Sequence, residues 1–168
     1  VGSLAGGCSE HGIGAGEYTD VRIAKASVTF SDDCAALADP NHTTTIKQGE
    51  TVLIYGVSED TGDKLYLDLG GVVIPGAQQD DGSYKFSAKD TQIDHQGNNT
   101  QVTTVTTITV TFAVSGSEYV GKSQTHVDVS CSGTNCNGNS GTCTTTTKFD
   151  GVEVEGSDVP DPSPPQNP

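Results

Sequence analysis

The segment that most constrains this chain is residues 102–114, where Ile108, Val110, Phe112 and Val114 alternate with Thr109, Thr111 and Ala113. A period of two sends successive side chains to opposite faces of a strand, so one face is apolar and the other rich in threonine. β-Branched threonine fits a pleated surface well. Nowhere do apolar residues recur at i, i+3, i+4, i+7 over a useful length, so no amphipathic helix is expected. The chain reads as all-β.

Other segments repeat the pattern. Val21 and Ile23 precede Val28 and Phe30 with a change of parity, which predicts a bulge around residues 24–26. Short strands are expected at 43–46 and 51–57, separated by the turn Lys47-Gln48-Gly49-Glu50. Leu65, Leu67 and Leu69 alternate with Tyr66 and Asp68 as a half-buried strand. Gly70-Gly71 signals a hairpin into Val72-Val73-Ile74, which Pro75-Gly76 is expected to end. Tyr84 and Phe86 share a face after the turn Asp80-Asp81-Gly82, and residues 87–100 read as a polar loop. Tyr119-Val120, residues 126–129 with Val127 and Val129 inward, and residues 144–154 complete the set. About eight or nine short strands joined by frequent turns favour a sandwich over a barrel.

The ends differ from the middle. Residues 1–17 hold six glycines without apolar period and read as an irregular arm, while residues 159–168 hold five prolines in ten positions. The expected organisation is an arm at 1–17, a β-sandwich domain at 18–155 with a Cys-rich loop at 131–143, and a Pro-rich tail or linker at 156–168. Only 32% of residues are hydrophobic, so the core is modest and confined to the alternating stretches.

Five cysteines bear on compartment: Cys8 and Cys34 lie upstream, and Cys131, Cys136 and Cys143 sit in a loop of Gly, Asn and Ser. Disulfides would staple such a loop in an oxidising environment. Zinc is the competing reading, but paired C-x2-C knuckles are absent from the sequence. The odd count leaves one thiol free or joined to another chain.

The net charge is −14, from 22 acidic against 8 basic residues. Phosphate neutralisation needs Lys and Arg, so nucleic-acid binding is not expected. Neither is membrane insertion, because no apolar stretch reaches the ~18 residues that a spanning helix needs. Acidic turns at Asp32 and Asp33, at Asp60 and Asp63, and at Asp80 and Asp81 could offer oxygens to Ca2+, and no other cofactor is expected. The alternative is that Asp favours turns by bonding its own backbone. Asn41-His42-Thr43 and Asn98-Asn99-Thr100 both satisfy the N-glycosylation pattern, with Asn41 and Asn98 as acceptors.

His11, His42, His95 and His126 stand outside any recognisable catalytic motif, and no enzymatic activity is expected. Tyr55, Tyr66, Tyr84 and Tyr119 are candidate sugar-stacking platforms or ordinary packing residues. Lys25 is a candidate amine for an intramolecular isopeptide bond.

Gly49-Glu50-Thr51-Val52-Leu53-Ile54-Tyr55-Gly56, Leu67-Asp68-Leu69-Gly70 and Asp81-Gly82-Ser83-Tyr84-Lys85-Phe86 together resemble bacterial immunoglobulin-like surface or adhesin repeats, across residues 45–86. That resemblance implies an immunoglobulin-like antiparallel sandwich and a structural or adhesive role outside the cell or at its surface. It transfers no catalytic residue. The partners expected are other copies of the chain, cell-surface proteins or glycans. Two further functions fit the sequence: a filament or pilus subunit assembling by strand donation through its arms, and a glycan- or calcium-binding module.

Overall fold

The computed structural model describes residues 13–31, 34, 46–97, 99–134, 136 and 140–154. Among them are eight strands: β1 (Tyr18–Phe30), β2 (Thr51–Glu59), β3 (Gly62–Asp68), β4 (Val73–Gln78), β5 (Tyr84–Gln96), β6 (Thr100–Ser115), β7 (Glu118–Ser132) and β8 (Gly141–Glu153). The all-β expectation holds. Each strand pairs antiparallel with its neighbours in sequence, and β8 returns to pair with β1, so one sheet closes into a barrel.

The expected immunoglobulin-like sandwich is therefore corrected. A sandwich splits its strands between two sheets and needs connections that cross between them. Here every strand feeds its apolar face into one interior, and closure leaves no second sheet to pack against. Val21, Ile54, Leu67, Ile74, Phe86, Val110 and Phe149 meet there, each no more than 4% exposed. Ile46 joins them at 1% exposure, from the turn that precedes β2.

Local signals fared better than the global one. The parity change in β1 is a true irregularity, since the register with β8 skips from Ile23 to Lys25. The Gly70-Gly71 turn joins β3 to β4, with positive φ at both glycines. Pro75-Gly76 does not end β4. Pro75 lies opposite Tyr66 just before pairing with β5 starts at Gly76, so its missing N–H costs no bond to β5. Residues 119–129 belong to a single strand, β7.

The supposed loop at 87–100 is mostly strand. Residues up to Gln96 pair in register with β6, from Ser87 opposite Thr109 to Gln96 opposite Thr100. Pairing with β4 stops at Phe86, so this part of β5 rises beyond the barrel core. Beyond Ala88, which still packs against the core, neither face meets one, and residues 89–96 are exposed throughout, which is why no apolar alternation marks it. Val28 and Phe30 lie on the corresponding extension of β1 and are 38% and 57% exposed instead of inward.

Of the arm, residues 13–17 are described. Ala15 bridges to Gly56 and the Gly16 N–H donates to the Gly56 carbonyl at 2.9 Å. A side chain at position 56 would meet the Gly14 carbonyl oxygen at 2.1 Å, so glycine is what allows the arm to lie on β2. The tail at 156–168 and the other arm residues lie outside the described set.

Candidate functional site

An eight-stranded barrel can hold a small ligand or fill its interior with side chains. This one is filled. Phe112 stacks between Tyr84 and Phe86, with ring centroids 5.2 and 5.8 Å away, and Tyr119 tilts onto it at 5.7 Å. The interior void bordered by Val21, Ile54, Val110 and Phe149 measures about 10 Å³, roughly the size needed for a single water. Burial and the nearby Glu153 carboxylate push the Tyr119 phenol up, although a hydrogen bond with Thr19 pulls the other way.

A larger concavity opens on the wall. An open groove of about 850 Å³ crosses the outer wall from β1 through β8 and β7 to β6. Alternation explains the charged part of its lining: Lys25, Asp150, Lys148 and Lys122 lie on the outer face, while Phe112 and Phe149 border the groove from the core side. Two local irregularities fall at this level. β1 carries its bulge at residue 24, and β7 carries Gly121, where an added Cβ would lie 2.3 Å from the Thr111 carbonyl and 2.6 Å from Phe112 Cβ. Bulges and close-packed glycines are what turn a strand sharply in a barrel wall.

Charge in the groove runs against the molecule as a whole. Three of the eight basic residues line it. Lys25 makes an ion pair with Asp150 at 3.7 Å, both side chains being well exposed. Lys122 and Lys148 face each other directly across β7 and β8. Among the described residues no carboxylate stands within ion-pair distance of either. Sequence reading singled out Lys25 alone, as an isopeptide amine, and that needs a buried lysine; its side chain is 81% exposed. Cross-strand register is what brings the three lysines together, and no spacing along the chain reports it.

Two disulfides form among the described cysteines. The Cys34–Cys143 bond ties the segment after β1 to the start of β8, across 109 residues of sequence. The Cys131–Cys136 bond closes the loop after β7, across 5. Cys8 lies outside the described residues. Such pairing suits an oxidising, extracellular setting.

Two of the three acidic turns fall among the described residues. Asp60 belongs to the β2–β3 turn, while Asp63 lies at the start of β3 opposite Ser58 and accepts from the Ser58 hydroxyl at 3.0 Å. Asp80 and Asp81 belong to the β4–β5 turn. Asp81 accepts from the Ser83 N–H at 2.9 Å and from its hydroxyl at 2.6 Å, which holds the Asp81 carboxyl below the usual range. These are the bonds that recommend Asp in turns. Among the described residues no three His, Cys, Asp or Glu side chains gather as a metal site. Asp32, Asp33, Asn41 and Asn98 lie outside the described residues.

The tyrosines divide. Tyr84 and Tyr119 are core residues, 3% and 5% exposed. Tyr55 and Tyr66 pair across β2 and β3 with rings 5.5 Å apart. Tyr66 donates its hydroxyl to Glu59, which also accepts from Lys64. That bond, with smaller help from burial, pushes the Tyr66 phenol up to about 12. The Lys64 and Tyr66 bonds together hold the Glu59 carboxyl below its ordinary range. No flat, exposed aromatic platform results.

No helix of the described residues is long and apolar enough to cross a membrane. On the barrel wall, the outer positions of β6 to β8 include Thr107, Thr109, Gln124, His126, Asp128 and Thr144. A lipid-facing barrel carries the reverse arrangement, apolar outside and polar within. No family model, curated protein or solved structure matches the chain, and none identifies it with immunoglobulin-like adhesin repeats.

Proposed function

We propose that this chain is a non-catalytic structural or adhesive module, working outside the cell or at its surface and binding through its outer wall. One observation carries the reading: the interior is closed by its own aromatic and aliphatic side chains around a void of about 10 Å³, while the concave surface with exposed charge lies outside. The two disulfides support an oxidising compartment. The acidic net charge of −14 supports solubility rather than adsorption to anionic surfaces.

Two measurements test it together. Labelled protein should attach saturably to intact cell surfaces or extracellular matrix. A fluorescent fatty-acid analogue, which lights up on entering an apolar barrel, should stay dark. An interior that takes up the probe stoichiometrically overturns the reading in favour of a carrier. Absence of surface attachment overturns the adhesive role.

A further inference from the structure

We infer that the outer groove is a recognition site for an oligosaccharide that bears carboxylate groups. The inference rests on the reading of the chain as an extracellular binding module and names the chemistry of what it binds.

The first observation is a cost without an evident structural return. Like charges directly opposite on a sheet are destabilising, yet Lys122 and Lys148 face one another across β7 and β8. The chain has 22 acidic residues and places none of the described ones within ion-pair reach of either lysine. Asp150, the nearest acid in register, is held by Lys25. A carboxylate seated between Lys122 and Lys148 removes the repulsion and gains two charge-assisted hydrogen bonds.

The remaining lining selects among anions. Around the lysines stand Ser27, Gln48 and Thr111, which donate and accept hydrogen bonds as sugar hydroxyls require. Val120, 55% exposed, and Ala113 offer an apolar surface to the C–H face of a ring. A densely charged polyphosphate or nucleic acid fits poorly, because the net charge of −14 opposes its approach and three lysines neutralise few phosphates. An acidic peptide fits poorly for a different reason. β7 and β8, which carry Lys122 and Lys148, are paired on both sides at the groove, so neither offers main-chain groups for strand addition beside those lysines. A largely neutral, polyhydroxylated body with a few carboxylates meets all of these conditions.

The test uses the full chain with intact disulfides and three probes. These are a hexasaccharide alternating uronate with an N-acetylated hexosamine, its carboxyl-reduced counterpart, and a glutamate-rich peptide of the same charge. Isothermal titration at low and at physiological ionic strength reads affinity, and amide chemical shifts locate the contact. The uronate should bind, with shifts at residues 111, 121, 122 and 148, and weaken as salt is raised. Carboxyl reduction should lower affinity at least about tenfold, and so should the double variant Lys122→Gln/Lys148→Gln, the loss expected for a charge-assisted hydrogen bond. The Lys122→Arg/Lys148→Arg variant should retain binding.

Equal binding by wild type and the Gln variant overturns the inference, as does a peptide that binds as well as the uronate, or no uronate binding at low salt. Both lysines are exposed, so the Gln variant should melt at or above the wild-type temperature. Surface attachment separates this failure from that of the broader reading. If attachment persists unchanged in the Gln variant, the groove is not the site and the adhesive role stands. If neither protein attaches, the adhesive role falls as well.

Discussion

Removing the Cys34–Cys143 disulfide should cost this protein more than twice what removing Cys131–Cys136 costs. In the chain-entropy model, a cross-link lowers the disorder of the unfolded state by a fixed amount plus a term in the logarithm of the loop it closes. The first bond closes 109 residues, and the second closes 5. At 25 °C the model assigns about 4.8 kcal/mol to the long loop and about 2 kcal/mol to the short one. The long loop contains β2 to β7, so in the unfolded chain this bond restrains most of the barrel. Cys34→Ala/Cys143→Ala and Cys131→Ala/Cys136→Ala should each be unfolded in urea and by heat, without reductant. A domain of this size loses roughly 2–4 °C per kcal/mol, so the expected falls are about 10–20 °C and about 4–8 °C. Cys143 is 2% exposed, so its truncation also leaves a small void that adds to the first figure. Equal losses, or a larger loss for the short loop, would refute the entropic reasoning and point to native-state contacts as the source of stability.

Three further outcomes follow from packing and titration. Gly121→Ala places a Cβ 2.3 Å from the Thr111 carbonyl and should destabilise the barrel by about 1–3 kcal/mol, read as a lower urea midpoint with the same slope. Phe86→Ala removes a fully buried ring that packs on Phe112 and should cost about 3–5 kcal/mol by the same assay. In an alkaline absorbance titration, Tyr66 should ionise only near pH 12, and Glu59→Ala should bring it back toward the ordinary phenol range. Because the folded state holds this proton more tightly than the unfolded one, its contribution is complete below pH ~10 and disappears as pH rises toward 12. Glu59 behaves in the opposite sense: its contribution is present above the carboxylate range and is lost as acid protonates it.

How far the candidate site was legible can be judged from its residues. Alternation along β6 and β7 already places Thr111 and Lys122 outside, opposite Phe112 and Tyr119. What alternation cannot convey is that Lys122 stands across from Lys148, or that Lys25 comes alongside through Asp150. Those contacts depend on register between strands far apart in sequence. Gly121 gives no sequence signal as a point of close approach, because an isolated glycine in a strand pattern has several uses.

The sequence by itself determined the elements whose causes are local: strands from period-two patterning, the Gly70-Gly71 hairpin turn from backbone freedom at positive φ, and the β1 bulge from a change of parity. It also set the charge balance, −14 overall. The tertiary structure alone decided that the strands close into one barrel, because a strand's apolar face reads the same whether it meets a second sheet or the far wall of its own. It alone extended β5 to Gln96, where pairing with β6 supplies the backbone bonds and no core imposes a pattern on the side chains. The lysine groove belongs to the same class, since a surface assembled from four strands exists only once their registers are set against one another.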